Sequence, residues 1–256
     1  VVDNQHNLAE LNSAAGQMGK ALNVLVDVDI GLNRTGVSST HDAINLIELA
    51  LLYDHIHFLG LQAYAGHVMH ITNYFDRRKK NITDMALLKN ILMACNEKQI
   101  SPKIISGGGT GTYNIDPNIG LLNEMQVGSY TVMDVEYCDI SCEVGSRWPF
   151  SPAVFVKASV VSANQNGYAT TDAGLKCFAT DGPLPRILSG VPDGSIYSYC
   201  GDEHGRIKFL DNNSGVLVGT SLECIVPHCD PTINLYDFYH ILSLIKLSTI
   251  LYNLLR

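Results

Sequence analysis

The stretch LNVLVDVDI, residues 22–30, decides the fold of the first half of the chain. It is a short run rich in β-branched residues, which is typical of a strand buried on both faces of a parallel sheet. The segment STHDAINLIELALLYDHI (39–56) follows, with apolar residues at helical spacing behind a Ser39-x-x-Asp42 cap. Together the two segments predict a strand followed by a helix.

The same alternation continues in both directions from this pair. Downstream we predict a strand in HFLGLQAYAG (57–66), a long helical segment through residue 99, a strand in PKIISGGG (102–109), a short helix and a strand in EMQVGSY (124–130). Upstream, VVD at the first residues has the composition of the end of another strand. Strand and helix alternate about every 35 residues, which is the βαβ pattern of a barrel or a doubly wound sheet.

The number of strands is too small for a whole barrel. A complete α/β barrel has eight strands and about 250 residues, whereas this half offers four strands and the end of a fifth. We therefore expect the chain to start inside a barrel, with on the order of 100 residues of the full barrel lying upstream.

The pattern of predicted secondary structure changes near residue 138. The segments AVFVKASVVSANQNGYATTDAG (153–174) and RIKFLDNNSGVLVGTSLECIVPH (206–228) have the pattern of short strands separated by Asn, Gly and Asp turns. We predict an incomplete, TIM-like α/β barrel over residues 1–137, followed by a mostly antiparallel β domain over residues 138–256.

No segment has the length and composition of a membrane span or a signal peptide. The start, VVDNQHNLAEL, lacks both a basic region and an apolar run. The tail FYHILSLIKLSTILYNLLR (238–256) is the most apolar segment, but Lys246 interrupts it and its uncharged run is shorter than the roughly 20 residues that a membrane helix needs. We expect a helix there that packs on another element.

The composition and net charge of the chain limit the kinds of molecule that it is expected to bind. Apolar residues make up 46% of the chain and charged residues 16%, a normal globular balance. The net charge of −8 leaves no basic face for nucleic acid, so small molecules or other proteins are the expected partners. The seven cysteines are scattered and form no CxxC pair, which predicts reduced thiols in a cytoplasmic protein rather than disulfides or a zinc knuckle.

The segment ISGGGTGTY (105–113) follows a predicted strand and is rich in glycine. It is not a Walker A loop, and Thr112 stands where a dinucleotide fingerprint has its third glycine. Backbone N–H groups between glycines can approach an anion closely, so the segment predicts a phosphate cradle. A plain glycine turn is the alternative.

Other polar side chains also follow predicted strands. Arg34 lies just past a strand end, where barrel active sites are built, although a surface arginine is the alternative. In LQAYAGHVMH, Tyr64, His67 and His70 follow the next strand. We expect a functional role for at least one of these three rings, with ordinary loop histidines as the alternative.

The segment VPHCDPTINLYD (226–237) places His228, Cys229 and Asp230 side by side. If the backbone is extended up to Pro231, His228 and Asp230 share a face and Cys229 points the other way. An imidazole and a carboxylate suit manganese, magnesium or zinc, and two protein ligands leave room for water and substrate. An ordinary turn before Pro231 is the alternative.

Seven segments occur along the chain in the following order: VDVDIGLNRTGV, GLQAYAGHVMH, SGGGTGTY, MQVGSYTVMD, TDAGLKCFATDGP, GDEHG and VPHCDPTINLYD. In this order they resemble the metal-activated D-threonine aldolase and D-serine dehydratase family. These are pyridoxal phosphate (PLP) enzymes of fold type III, with an alanine racemase-like barrel and a β domain. The likeness runs from the first residues to about Asp237.

The resemblance implies a role for each matching residue. Arg34 would face the pyridine ring of PLP, and Tyr64 would lie close to the cofactor. His70 would be the acid/base near the substrate hydroxyl, with Tyr64 as the second catalytic candidate. The metal would be held by His228 and Asp230. The cofactor phosphate would be bound or lined by Gly109, Thr110, Gly111, Thr112, Gly128, Ser129 and Tyr130.

The metal ligands bear on the reaction that the resemblance implies. Dehydratases of the family typically show His-x-Cys at the metal site, whereas many aldolases show His-x-Asp. Asp230 therefore favours manganese or magnesium over zinc, and a lyase that cleaves D-threonine or related D-3-hydroxy amino acids to glycine and an aldehyde. The alternative within the family is dehydration of D-serine or D-3-hydroxyaspartate, since a shift of register could present Cys229 instead. A homodimer is also implied.

The resemblance is incomplete at both ends. The lysine that forms the Schiff base lies on the first barrel strand of the family, upstream of everything that matches here, and none of the ten lysines occupies that motif. After Asp237 the chain does not resemble the usual ending of the family. An inactive PLP-binding fragment or pseudoenzyme is therefore a second hypothesis.

Overall fold

The computed structural model describes residues 1–143, 147–211 and 215–242, and the backbone of residues 247–252. The chain divides into two compact units. The first consists of Val1–Gly128 and Ile140–Arg147, and the second of Ser129–Asp139 and Trp148–Arg256.

The first unit alternates helices and strands. Its elements are α1 (Gln5–Gln17), β1 (Leu22–Asp27), α2 (Thr40–Leu52), β2 (Ile56–Ala63), α3 (Tyr74–Asp84), α4 (Ala86–Glu97), β3 (Ile104–Gly107), α5 (Asp116–Ile119) and β4 (Glu124–Met125). The strands form one parallel sheet in the order β1-β2-β3-β4. This sheet confirms the predicted α/β arrangement, and the long helical segment expected through residue 99 is divided into α3 and α4.

A further parallel pairing lies beside β1. Val2 forms a parallel bridge with Val26. The Val2 N–H donates to the Leu25 carbonyl at 2.9 Å, and the Asp27 N–H donates to the Val2 carbonyl at 2.8 Å. VVD therefore pairs in parallel with β1 through one bridge, and the further strand expected there stays a prediction.

Side-chain caps explain where two of the helices begin. The Ser39 hydroxyl accepts a hydrogen bond from the Asp42 N–H at 3.0 Å, as the cap in the sequence predicts. Asn73 caps α3 by accepting from the N–H groups of Phe75 and Asp76 at 2.9 and 3.2 Å. These bonds satisfy N–H groups that lack a partner within the helix.

A row of polar side chains crosses the parallel sheet close to its carboxyl edge. The strand register places Asp27 beside Gln62, Gln62 beside Ser106, and Ser106 beside Glu124. The Gln62 amide donates to the Asp27 carboxylate at 3.2 Å, and the Ser106 hydroxyl donates to the Glu124 carboxylate at 2.7 Å. Asp27 and Ser106 are buried, and these bonds supply the partners that buried polar groups require. The row forms a polar layer directly before the loops that follow the strands.

The second unit is mostly antiparallel. Its elements are α6 (Val135–Asp139), β5 (Phe155–Gln165), β6 (Tyr168–Thr171), β7 (Arg186–Ser189), β8 (Ile196–Tyr199), β9 (Gly205–Lys208), β10 (Ser221–Ile225), α7 (Cys229–Ile233), β11 (Phe238–Leu242) and β12 (Leu247–Tyr252). Six strands form one antiparallel sheet in the order β7-β10-β5-β6-β9-β8. Its core includes Val160, Phe178, Tyr197 and Leu222. The predicted antiparallel β domain is confirmed.

The prediction of a helix in the C-terminal tail is wrong. β11 and β12 pair antiparallel, with Phe238 opposite Tyr252. The prediction rested on apolar content, which does not distinguish a buried helix from a strand, whereas aromatic and β-branched residues favour strands. The rest of the tail, 243–246 and 253–256, lies outside the described residues. Among those that are described, no helix is both long enough and apolar enough to cross a bilayer.

Gly60 lies where β2 passes closest to β3. A β-carbon at Gly60 would lie 1.7 Å from the Ile104 carbonyl oxygen. We expect Gly60→Ala to lower the free energy of unfolding by about 1–3 kcal/mol, because the added methyl group forces the paired backbones apart. Urea unfolding followed by circular dichroism measures the change.

Gly128→Ala is the matched control, since no heavy atom lies within 4 Å of its β-carbon position. We expect this control to change the free energy of unfolding by no more than about 0.5 kcal/mol. Equal stability of the two variants would contradict the close approach at Gly60.

Candidate active site

Arg34 lies in the loop after β1, and hydrogen bonds from backbone N–H groups to the Asp29 side chain fix the shape of that loop. The Asp29 carboxylate accepts from the N–H groups of Gly31 and Asn33 at 2.9 and 3.0 Å. The Arg34 guanidinium lies 5.5 Å from the centre of the Tyr64 ring, within range of a cation–π contact. The structure thus brings together two of the predicted site residues.

The Tyr64 ring also lies against two glycines. A β-carbon at Gly66 would lie 2.7 Å from the ring, and a β-carbon at Gly109 would lie 3.5 Å from it. Tyr64 is therefore in contact with the predicted phosphate segment as well as with Arg34.

The glycine-rich turn after β3 packs against the residue that precedes His70. A β-carbon at Gly111 would lie 2.2 Å from the Met69 carbonyl oxygen, and one at Gly109 would lie 2.8 Å from the Met69 sulfur. Gly108 has a φ of 65°, in the left-handed region that favours glycine. The glycines thus allow the turn to lie directly against the segment that carries the half-buried His70.

Thr112 is part of a buried hydrogen-bonded cluster. Its hydroxyl donates to the Asp116 carboxylate at 2.5 Å and accepts from the Gly109 N–H at 3.2 Å. The Asn81 amide donates to the other oxygen of Asp116 at 2.6 Å, and burial raises the pKa of Asp116. The cluster fixes the turn from within the unit, and the phosphate-binding roles of Thr110 and Thr112 stay predictions.

His67 has a structural contact. Its Nε2 lies 2.8 Å from the Asp84 carboxylate, which also binds the Lys80 ammonium at 2.6 and 2.7 Å. These contacts join the loop after β2 to α3. They favour a structural role for His67, which leaves Tyr64 and His70 as the candidates for chemistry.

The candidate cofactor residues of the first unit follow the carboxyl ends of its parallel strands. Arg34 follows β1, and Tyr64 and His70 follow β2. The Gly109–Thr112 turn follows β3, and Gly128 follows β4. Ligands of α/β folds bind at this edge of the sheet, so these residues fit the ring and phosphate of PLP.

Ser129 and Tyr130 belong to the second unit. The Ser129 hydroxyl donates to the Asp230 carboxylate at 3.2 Å. The ring of Tyr130 contacts that of Phe150 edge-on, with 5.1 Å between centres. Their predicted places beside the cofactor phosphate stay predictions.

The predicted extended conformation up to Pro231 is wrong. β10 ends at Ile225 and α7 begins at Cys229, with His228 at the N-cap position. The helical turn still brings His228 Nε2 to 3.7 Å from the Asp230 carboxylate. The imidazole and the carboxylate thus approach each other through a helix start rather than along one face of a strand.

The same helix start turns Cys229 into the core. Cys229 is fully buried, and its N–H donates to the Asp134 carboxylate at 2.8 Å. Burial raises the pKa of its thiol to about 12. The register shift that would have presented Cys229 in place of Asp230 is therefore not found.

Two further carboxylates face His228, and the sequence analysis did not identify them. The Asp181 carboxylate lies 2.9 Å from His228 Nδ1, and Glu136 lies 4.0 Å from the same atom. Asp230 first, and then Asp181 and Glu136, raise the pKa of His228 to about 9. The contact of Asp181 with Nδ1 orients the ring so that Nε2 faces Asp230.

The segment that carries Asp181 is fixed by tyrosines. Three hydroxyls donate to its carbonyls at 2.6, 2.9 and 3.2 Å: Tyr197 to Ala173, Tyr236 to Cys177 and Tyr199 to Ala179. The Thr232 hydroxyl accepts from the Ala179 N–H at 2.9 Å and donates to the His228 carbonyl at 2.7 Å. These bonds fix the backbone close to Asp181 and the backbone of His228 relative to each other.

The side chains of His228 and Asp230 are chemically suited to bind a divalent cation. In the part of the chain that the structure describes, no group of three or more His, Cys, Asp or Glu side chains could hold a metal ion. His228 and Asp230 supply one imidazole and one carboxylate, which suits a cation whose other ligands are water and substrate. Asp181 has the place that a carboxylate commonly takes beside a metal-bound imidazole.

Two family models match the chain. The model described as "Alanine racemase, N-terminal domain" matches residues 1–135, and the one described as "Putative serine dehydratase domain" matches residues 153–242.

Curated and solved relatives agree with these matches. The chain is 36% identical over 242 residues to a 3-hydroxy-D-aspartate aldolase of Paracoccus denitrificans (strain Pd 1222), covering 93% of this chain and 61% of that protein. It is 34% identical over 236 residues to a D-threonine aldolase of an Arthrobacter species, covering 92% and 61%. The crystal structure of D-threonine aldolase from Filomicrobium marinum superimposes with a TM-score of 0.92 at 29% identity, covering 97% of this chain and 67% of that one.

These matches confirm the predicted resemblance. The chain spans 61% of the length of the two curated relatives. Because the first family model covers more than half of the 256 residues, the chain belongs to the alanine racemase N-terminal domain family.

Proposed function

We propose that the protein is a PLP- and metal-dependent lyase that cleaves D-threonine or related D-3-hydroxy amino acids to glycine and an aldehyde. The observation that carries the proposal is the pair of His228 Nε2 and the Asp230 carboxylate, 3.7 Å apart, with Cys229 buried behind them. The curated relatives are named as aldolases of 3-hydroxy-D-aspartate and D-threonine, and we extend that class of substrate to this chain.

The first unit would bind the cofactor. PLP, when bound, supplies an electron sink for the bond that breaks at the substrate Cα. Arg34 would face the pyridine ring, and Tyr64, which Arg34 contacts at 5.5 Å, would lie beside it. The phosphate would be held by Gly109, Thr110, Gly111 and Thr112, with Gly128 at the same end of the first unit. The resemblance gives a phosphate-lining role to Ser129 and Tyr130 of the second unit as well.

The second unit would hold the metal through His228 and Asp230. A divalent cation, when bound, supplies Lewis acidity that makes the substrate hydroxyl easier to deprotonate. A carboxylate ligand favours manganese or magnesium, whereas a thiolate favours zinc. The burial of Cys229 therefore supports a hard cation.

His70 would move the proton. It would accept the proton of the β-hydroxyl as the Cα–Cβ bond breaks, in the role of a general base. The position of His70 after β2, next to the residue on which the glycine turn packs, supports this assignment.

There are two alternatives to the proposed cleavage reaction. The match of residues 153–242 to the serine dehydratase model favours dehydration of a D-3-hydroxy amino acid. The other is a protein that binds PLP without catalysing the reaction.

Incubation with D-threonine, PLP and Mn²⁺ separates these possibilities. We expect glycine and acetaldehyde in equal amounts, and neither product from L-threonine. Formation of 2-oxobutanoate and ammonia instead of glycine would identify a dehydratase. If no product forms while PLP still binds, the non-catalytic hypothesis holds and the proposed lyase activity is wrong.

Removal of either proposed metal ligand should strongly weaken metal binding. We expect His228→Ala and Asp230→Ala each to weaken Mn²⁺ binding by at least about 100-fold, because a lost ligand costs no less than a lost outer partner of the metal site. Electron paramagnetic resonance of free Mn²⁺ measures the affinity. The exposed His204 provides the control His204→Ala, which should bind Mn²⁺ as the wild type does; unchanged affinity in both ligand variants would contradict the assignment.

Asp181 should affect the metal through His228. We expect Asp181→Asn to weaken Mn²⁺ binding by about 10–100-fold, since the amide no longer fixes the imidazole as a carboxylate does. The exposed Asp193 gives the matched control Asp193→Asn, which removes the same charge elsewhere in the second unit. An equal effect of the two substitutions would show that Asp181 acts only through net charge.

A further inference from the structure

Arg77 is a buried cation on α3 whose hydrogen bonds all go to backbone carbonyls. The side chain is 0% exposed. Its Nε donates to the Gly111 carbonyl at 2.8 Å, and Nη1 donates to the carbonyls of Ile71 at 2.6 Å and Thr72 at 3.4 Å. Nη2 donates to the Ser141 carbonyl. One guanidinium therefore binds three separate segments of the first unit.

Among the described residues, the charge of Arg77 has no carboxylate partner within ion-pair distance. The Tyr74 ring lies near it, with 5.8 Å between guanidinium and ring centre, and the side chain of Cys142 also interacts with its charge. Taking a guanidinium out of water costs several kcal/mol, on the order of what a buried ion pair must recover. Burial lowers the pKa of Arg77, but an arginine side chain remains charged in proteins. A buried charge held only by dipoles is still available to attract an anion.

The location of Arg77 next to the glycine-rich turn indicates which anion its charge would attract. Gly111 and Thr112 are adjacent in the glycine-rich turn, and α3 fixes both of them. Arg77 holds the Gly111 carbonyl directly, and Asn81, one helical turn further on, holds the Asp116 carboxylate to which Thr112 donates. The same face of α3 thus sets the conformation of the turn at two successive residues.

We propose that Arg77 is a positioning residue for a phosphate monoester in the glycine-rich turn. By holding the Gly111 carbonyl it directs the turn's backbone toward the ligand, and its buried charge stabilises the phosphate from the protein side. The inference rests on the PLP binding proposed above and adds to it a residue that does not touch the cofactor.

The test compares two ligands that differ only in the phosphate group. Pyridoxine 5′-phosphate and pyridoxine are the probes, because neither carries the aldehyde that could condense with the ten lysines. Isothermal titration calorimetry measures both dissociation constants. We expect Arg77→Gln to weaken pyridoxine 5′-phosphate by at least about tenfold, the size of a lost interaction with a charged group, and to leave pyridoxine unchanged within about twofold.

The adjacent Arg78 provides the matched control, since it lies on the same helix but is exposed. Arg78→Gln removes the same charge and should leave both dissociation constants unchanged. If Arg77→Gln does not fold, as judged by circular dichroism, Arg77→Lys replaces it. This variant keeps the charge but loses the forked hydrogen bonding to three segments, and it should also lose affinity for the phosphorylated probe alone.

Each outcome bears on a different claim. Equal losses for both probes in the Arg77 variants would show that Arg77 only stabilises the fold, which would overturn the inference and leave the proposed cofactor binding intact. Unchanged affinity in those variants would overturn it as well. If the wild-type protein does not prefer pyridoxine 5′-phosphate over pyridoxine, the phosphate cradle of the proposed function fails, and this inference fails with it.

Discussion

The first unit depends on the close contact between the glycine-rich turn and the Met69 carbonyl. Any side chain at Gly111 would bring a carbon atom to 2.2 Å from that oxygen, so the contact exists only because the residue is glycine. It places the loop after β3 directly on the loop after β2, which carries Tyr64 and His70. Since Arg77 binds carbonyls of both loops, the two loops share one support. Residues proposed to bind phosphate and residues proposed to move protons are therefore fixed by the same interaction.

The second unit depends on the point at which α7 begins. Successive residues of a helix point about 100° apart, so a helix that starts at Cys229 sends adjacent side chains in different directions. Cys229 enters the core, and Asp230 remains exposed beside His228. The Asp134 carboxylate stabilises this start by accepting the Cys229 N–H at 2.8 Å. Asp181 then binds the far nitrogen of His228, and the tyrosine hydroxyls hold Asp181 in place.

The sequence predicted correctly those features that depend on contacts between residues close together in the chain. The Ser39 cap is formed between residues three positions apart, and the sequence shows both partners. Asp181 was missed because it lies 47 residues from His228, and its contact depends on how distant strands pair. The tail was assigned to a helix for a related reason, since its hairpin depends on pairing between two strands. The matching segments contain the predicted site residues as well as Asp181 and the carbonyls of Met69 and Gly111, but a sequence match does not show which of these groups contact one another.

Arg77 shows how the composition of a segment can conceal a buried residue. It stands in the run RRKK, which has the appearance of a solvated charged face. The periodicity of α3 contains the contrary signal, because the three buried residues Tyr74, Arg77 and Asn81 recur at helical spacing. An arginine between an aromatic residue and an amide on one helix face must enter the interior with them if that face is buried. Its five N–H donors then require acceptors, and the carbonyls of turns, which lack partners within a helix or sheet, can supply them without adding negative charge. A buried arginine satisfied in this way keeps its positive charge while it fixes the backbone, and both properties suit a site that must hold an anion in one orientation.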